Sequence, residues 1–216
     1  MDFLSIVRQL MDGLGNTLLV FFLTLIFSLP LGLLVCFGRK SRFKPLSWLM
    51  RFFISILRGT PLMLQIIVVF FGPYYIFGAR LSSGYRVIAV VVAFSVNYAA
   101  YFAEIYRSGI ESIPMGQYEA SEALGYGKGQ TFFKIILPQM VKRVLPSVTN
   151  EVITLVKDTS LAFVISFTEM FTVAQQVASS QTTVMPLFVA GLFYYIFNAV
   201  VAWGMARLEK GLAYYN

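Results

Sequence analysis

The sequence predicts an all-α integral membrane protein of about five membrane-spanning helices, and three observations carry that expectation. Of 216 residues, 58% are hydrophobic and only 12% charged, whereas a soluble domain carries roughly 25% charged residues. The mean hydropathy is +0.74. The apolar residues gather into segments long enough for a bilayer core about 30 Å thick, and the basic residues stand beside those segments. The net charge of +7 is thus a topology signal; lipid is the expected surrounding and nucleic acid is not a partner. With no histidine and one cysteine, Cys36, inside an apolar run, the common metal sites, Cys-His nucleophiles and disulfide frameworks are excluded.

Taken in order, Phe3, Ile6, Val7, Leu10 and Met11 recur at helical spacing opposite Asp2, Arg8 and Asp12. That pattern predicts a short interfacial helix over 1–12. The first span runs from Leu14 to Phe37, and Arg39, Lys40, Arg42 and Lys44 follow it, which places its end in the cytoplasm. Leu46 to Phe77 is apolar for 32 residues; as one helix it would measure about 48 Å, too long for a straight crossing. Arg58, Gly59, Thr60 and Pro61 interrupt it, because proline lacks a donor and biases the residue before it away from helix. An interfacial helix over Leu46–Leu57 and a second span over Leu62–Phe77 follow.

An outer loop with Gly78, Ser82, Ser83 and Gly84 leads to a third span, Val87–Tyr106. The polar stretch 107–150 holds Lys128, Lys134, Lys142 and Arg143 and belongs with the first basic loop in the cytoplasm. A fourth span covers Glu151–Phe171, a polar segment with Gln175, Gln176, Ser179, Ser180 and Gln181 returns outside, and a fifth, Leu187–Ala206, ends at Arg207 and Lys210. The expected topology has the N-terminus outside, the C-terminus inside and a single membrane domain over 1–216.

The polar stretch is punctuated. Pro114 suits the first turn of a helix over 115–125, Glu119 and Glu122 favour its start, and Gly125 can take the left-handed conformation that ends it. A second short helix, Lys128–Leu137, is expected to stop before Pro138. Tyr118, Ala123, Leu124 and Phe132 then need a surface: a docked partner, or the chain's own bundle. The residues alone leave both open.

Glu119, Ala120, Gly125, Ile135, Leu137 and Pro138 resemble the EAA signature of bacterial ABC-importer permeases, with Ser121 in place of the usual second alanine. Arg58 to Leu62 with Gln65, the run from Asn97 through Glu104 and Arg107 to Ser112, and Lys157 to Leu161 resemble the polar amino-acid uptake branch of that family. The resemblance covers most of the chain, from Gly15 to Arg207. It implies the binding-protein-dependent transporter permease fold in a bacterial plasma membrane, importing an amino acid. It also implies a second permease half, for which an identical copy is compatible, two ATPase subunits and an extracytoplasmic substrate-binding protein. In that family the short helix couples to the ATPase, which by resemblance gives Gly116, Tyr118, Glu119, Ala120, Ser121, Ala123, Leu124, Gly125 and Pro138 that role. The chain has no G-x-x-x-x-G-K-[ST] phosphate loop. ATP and Mg would therefore sit on the partner subunit, and this chain is expected to be a pore without cofactor or catalytic residues.

Ionisable groups within spans are expensive and rarely face lipid. Asn97, Tyr101, Glu104 and Ser108 share one face of the third span, and Glu151, Thr154 and Asp158, followed by Thr159 and Ser160, share one of the fourth. These stripes carry a surplus of acid, which favours a polar, basic amino acid. A helix broken at Gly59 to Pro61 offers a positive end to a carboxylate. The candidate solute residues are Arg58, Gly59, Thr60, Gln65, Asn97, Tyr101, Glu104, Asp158 and Ser160. The alternative is that Arg58, Arg107 or Lys157 neutralise the acids and leave a site suited to glutamine or glutamate, with the carboxylates serving helix packing.

Overall fold

A computed structural model describes residues 3–80, 82 and 84–212. Among them the helices are α1 (Phe3–Arg39), α2 (Lys44–Gly59), α3 (Leu62–Phe77), α4 (Tyr85–Glu111), α5 (Met115–Ala123), α6 (Lys128–Gln130), α7 (Leu137–Asp158), α8 (Met170–Gln181) and α9 (Met185–Leu212). A π-helical stretch, Thr131–Ile136, joins α6 to α7, and a 3-10 stretch, Thr159–Ile165, extends α7. Helices α1, α4 and α9 are long and apolar enough to cross a bilayer, and the count rises to five if each of two bent pairs is one span. One pair is α2 with α3, bent by 109°; the other is Lys128–Ile165 with α8, bent by 56°. Ser83 of the expected outer loop, and Leu81 beside it, lie outside the described residues.

At the centre is α4, whose Ala89, Ala93, Ala99, Ala100 and Ala103 are buried together with Phe94, Tyr98 and Phe102. Small residues let the backbones of membrane helices approach closely, and the long α1 and α7 pack on this face. Cys36 is buried in that core.

Three expectations are corrected. The separate helix over 1–12 is, from Phe3 onward, the first turns of a continuous α1 of 37 residues. Part of its apolar face meets protein: Ile6 and Leu10 are buried with Met170, Ala174, Val189 and Ala190, while Phe3 and Met11 stay exposed. Next, the chain does not stop before Pro138. Proline clashes with the carbonyl four residues earlier, and the wide π-turn over Thr131–Ile136 leads into α7 with Pro138 in its first turn, so the helix runs on. Finally, the fourth span is not straight from Glu151 to Phe171. It tightens to 3-10 at Thr159, where the Thr159 and Ser160 hydroxyls each donate to a carbonyl, Val156 O and Lys157 O, at 2.8 Å. It then breaks at Ser166, which is left-handed at φ 54°. The polar segment with Gln175 to Gln181 is helical and lies in α8.

Candidate functional site: a broken helix, a charged face and an exposed short helix

The interruption at Gly59–Pro61 is tied to α4 by side chains. The carbonyls at the end of α2 have no helical partner, and Gln65 Nε2 donates to Leu57 O at 2.9 Å and to Thr60 O at 3.1 Å. It also reaches Thr60 Oγ1 at 2.9 Å. Asn97 Nδ2 donates to Leu57 O at 3.1 Å and to Gln65 Oε1 at 3.0 Å. Asn97 is 4% exposed. Four residues expected at one site, Gly59, Thr60, Gln65 and Asn97, are therefore brought together, with Gln65 and Asn97 committed to holding the break.

A second string runs away from it. The Arg58 guanidinium lies 5.1 Å from the Tyr101 ring centroid, the Tyr101 and Tyr98 rings are 6.3 Å apart, and Tyr98 donates to Asp158 Oδ2 at 2.7 Å. An exposed cation and a half-buried carboxylate thus stand at opposite ends of two aromatic rings. Tyr98 was not among the predicted site residues; its position one turn before Phe102 reads only as core.

Glu104 belongs to a different cluster. It is engaged by Arg39 and, at 2.8 Å, by Arg107 Nε. Arg107 also pairs with Glu111, and Lys40 lies 3.6 Å from Glu111. Arg39 and Lys40 read from the sequence as topology signals alone; that they fold back onto α4 depends on the α1–α4 packing. Ser160 is half-buried beside Thr159, outside both groups.

The predicted knob is present as α5, with Pro114 just before it and Gly125 left-handed at φ +77°. Tyr126 N donates to Ser121 O at 3.0 Å and Gly125 N to Glu122 O at 2.9 Å, the closure that a left-handed glycine permits. Ser121 turns inward, donating to Gln117 O at 2.6 Å. Tyr118 is half-buried, and burial pushes its phenol up. Phe132 packs edge-on against Phe37 at 5.5 Å. Gly116, Glu119, Ala120, Ala123 and Leu124 are exposed. The apolar set splits accordingly: Tyr118 and Phe132 serve the bundle, while Ala123 and Leu124 face outward.

Residues 28–214 match the family described as binding-protein-dependent transport system inner membrane component. The chain belongs to that family. Among its relatives, the arginine transport system permease protein of Bacillus subtilis is 35% identical over 216 residues, covering 98% of this chain and 97% of that one. The octopine transport system permease protein of Rhizobium radiobacter is 38% identical over 197 residues, 87% and 80% of the two chains. A solved amino acid ABC transporter with histidines superposes with a TM-score of 0.87 at 29% identity, over 97% of this chain and 98% of that one. An inward-facing MetNI methionine ABC transporter has the same fold, at a TM-score of 0.78 and 19% identity over 99% and 100% of the chains. The permease fold that the resemblance implied is the fold observed, and as an inner membrane component the chain resides in a membrane.

Proposed function

We propose that this chain is the pore-forming half of an ATP-driven amino-acid importer. What carries the reading is a broken-helix bundle that presents α5 outward in a chain whose relatives are named for arginine, glutamine, cystine and octopine transport. On this reading a second, identical copy completes the permease, and two ATPase subunits bearing ATP and Mg dock on α5 through Gly116, Glu119, Ala120, Ala123 and Leu124. Tyr118, Ser121, Gly125 and Pro138 hold that surface in shape. An extracytoplasmic binding protein delivers the solute. The basic residues after α1, around α6 and at the end of α9 support a bacterial plasma-membrane topology with the N-terminus outside and the C-terminus in the cytoplasm.

The solute carboxylate would approach the break at Gly59–Pro61, where the start of α3 adds a positive dipole end, and its cationic part would approach Asp158, with Tyr101 and Tyr98 between. Glu104 is already paired with two arginines. That observation favours a second reading for selectivity, a neutral polar amino acid such as glutamine, over one that needs two free acids.

Uptake into vesicles containing the permease, its ATPase and the binding protein tests both readings. Accumulation of labelled arginine, glutamine or cystine should require ATP inside and the binding protein outside. Accumulation driven by an ion gradient without the ATPase would make the chain a secondary transporter. In a background lacking Cys36, Ser82→Cys should react with an impermeant thiol reagent added outside and Ser41→Cys should not; the reverse pattern overturns the topology.

A further inference from the structure

We propose that the cleft between the end of α2, the last turns of α4 and the first half of α7 is an anion subsite for the α-carboxylate of the leaving amino acid, held by Arg58 and Arg143. The proposal rests on the importer reading and adds to it a site on the α5 side of the bundle, beyond the broken helix. The cleft is open to its surroundings, has a volume of about 670 Å³ and is lined by Arg58, Arg107, Arg143, Ser108, Ser112 and Ser147. Small-molecule sites occupy about 300–1,000 Å³, so an amino acid fits with room to move.

The charge balance is the argument. Among the described residues Glu104 is the sole carboxylate lining the cleft, and it is consumed: Arg39, Lys40 and Arg107 set three cations against the two carboxylates Glu104 and Glu111. That network already carries one positive charge in excess and has nothing to offer Arg58 or Arg143. Among the described residues neither of these is in an ion pair; the carboxylate that Arg58 feels from a distance is Glu151, which does not line the cleft. Arg143 donates to the Ser112 carbonyl, and Arg58 rests over the Tyr101 ring. Both side chains are exposed. A guanidinium stays protonated and presents a planar fork that matches a carboxylate. Two of them beside a membrane-spanning bundle, where charge is costly without a partner, make a cleft that lowers its own energy when an anion enters. Arg58 also begins the Arg58–Tyr101–Tyr98–Asp158 string, so a solute leaving that string meets the cleft next.

The test uses the assembled permease and ATPase in vesicles, with Cys36→Ala and Ser147→Cys as the reporter and Ser108→Cys as a second should the first fail to assemble. Relative to a thiol in solution, a sulfonate-bearing methanethiosulfonate should modify the reporter at least tenfold faster than its trimethylammonium counterpart. Arg58→Gln and Arg143→Gln should each cut that preference severalfold. Millimolar arginine or glutamine should slow the sulfonate reagent, and agmatine, which lacks the carboxylate, should not. A faster cationic reagent, protection by agmatine equal to that by arginine, or protection by inorganic phosphate but by no amino acid would each overturn the subsite. Uptake in the same vesicles separates the two readings. Amino-acid uptake without anion preference removes the subsite alone, whereas loss of ATP-driven uptake for every amino acid removes the importer reading beneath it.

Discussion

The two breaks in this bundle are built from opposite materials. At Gly59–Pro61 the chain turns by 109°, and Arg58, Gly59 and Thr60 stay exposed while Gln65 and Asn97 take up the loose carbonyls. At Ser166–Glu169 the turn is 56°, and although Ser166 and Thr168 stay exposed, the group that caps the next helix is sealed. Glu169 is 0% exposed and accepts from Phe171 N at 2.7 Å, Thr172 N at 2.6 Å, Thr172 Oγ1 at 2.8 Å and the Tyr194 hydroxyl at 2.8 Å. Helix α1 closes over it: Asn16 donates to Thr168 O at 2.6 Å, and Met170 N donates to Thr17 Oγ1 at 3.1 Å. Polarity at a broken helix thus has two uses. Where the break is open, two amides take up its carbonyls and leave Arg58, Gly59 and Thr60 exposed, and where it is covered a carboxylate caps the backbone of the next helix.

Mutations can break that contrast, and the sealed site should respond most. Gly13 lies against the second break so closely that a Cβ would sit 2.8 Å from Met170 N and Cα. Backbone on a packed helix cannot step aside, so Gly13→Val should abolish assembled permease in detergent; a monodisperse complex at normal yield would refute the close packing. Glu169→Ala should cost at least about 3 kcal/mol, since several buried donors each lose about 1–3 kcal/mol. A fall in the melting temperature of the purified complex would report it, and an unchanged one would place water or another acceptor there.

At the open break the balance should reverse. Asn97→Ala leaves Leu57 O with Gln65 as its donor, so a stability loss of about 1–2 kcal/mol is expected, with uptake falling more than protein level. Equal losses of uptake and protein level would return Asn97 to packing alone. A stability effect of similar size belongs to Gly125→Val, outside both breaks: a left-handed, exposed position penalises a side chain by about 1–2 kcal/mol. The complex should still form while ATP-coupled uptake drops, and full coupling would detach the turn after α5 from transmission.

The open break was legible because Gly59, Thr60 and Pro61 interrupt an apolar run too long for one crossing. The sealed one was not. Residues Thr159–Phe171 look like continuous span, and nothing in their order says that Glu169 caps a helix or that Gly13, Asn16 and Thr17, over 150 residues earlier, complete the cap. The turn at Gly125 was readable for a local reason, the short range of helix-end chemistry. Pro138 misled for the same local reason, since the π-turn that accommodates it involves the whole segment Thr131–Ile136.

The sequence by itself determined the solvent, the apolar segments and the short helix after Pro114. Hydropathy, flanking charge and helix punctuation act over one or two turns and are written in neighbouring residues. Only the tertiary structure decided which polar groups in those spans answer to one another: Glu104 to Arg39 and Arg107, Asp158 to Tyr98, Asn97 to the end of α2. A charge in a membrane helix must be paired or face a polar space. Which partner it finds is set by how helices distant in sequence approach, a property of the packed bundle that no local pattern encodes.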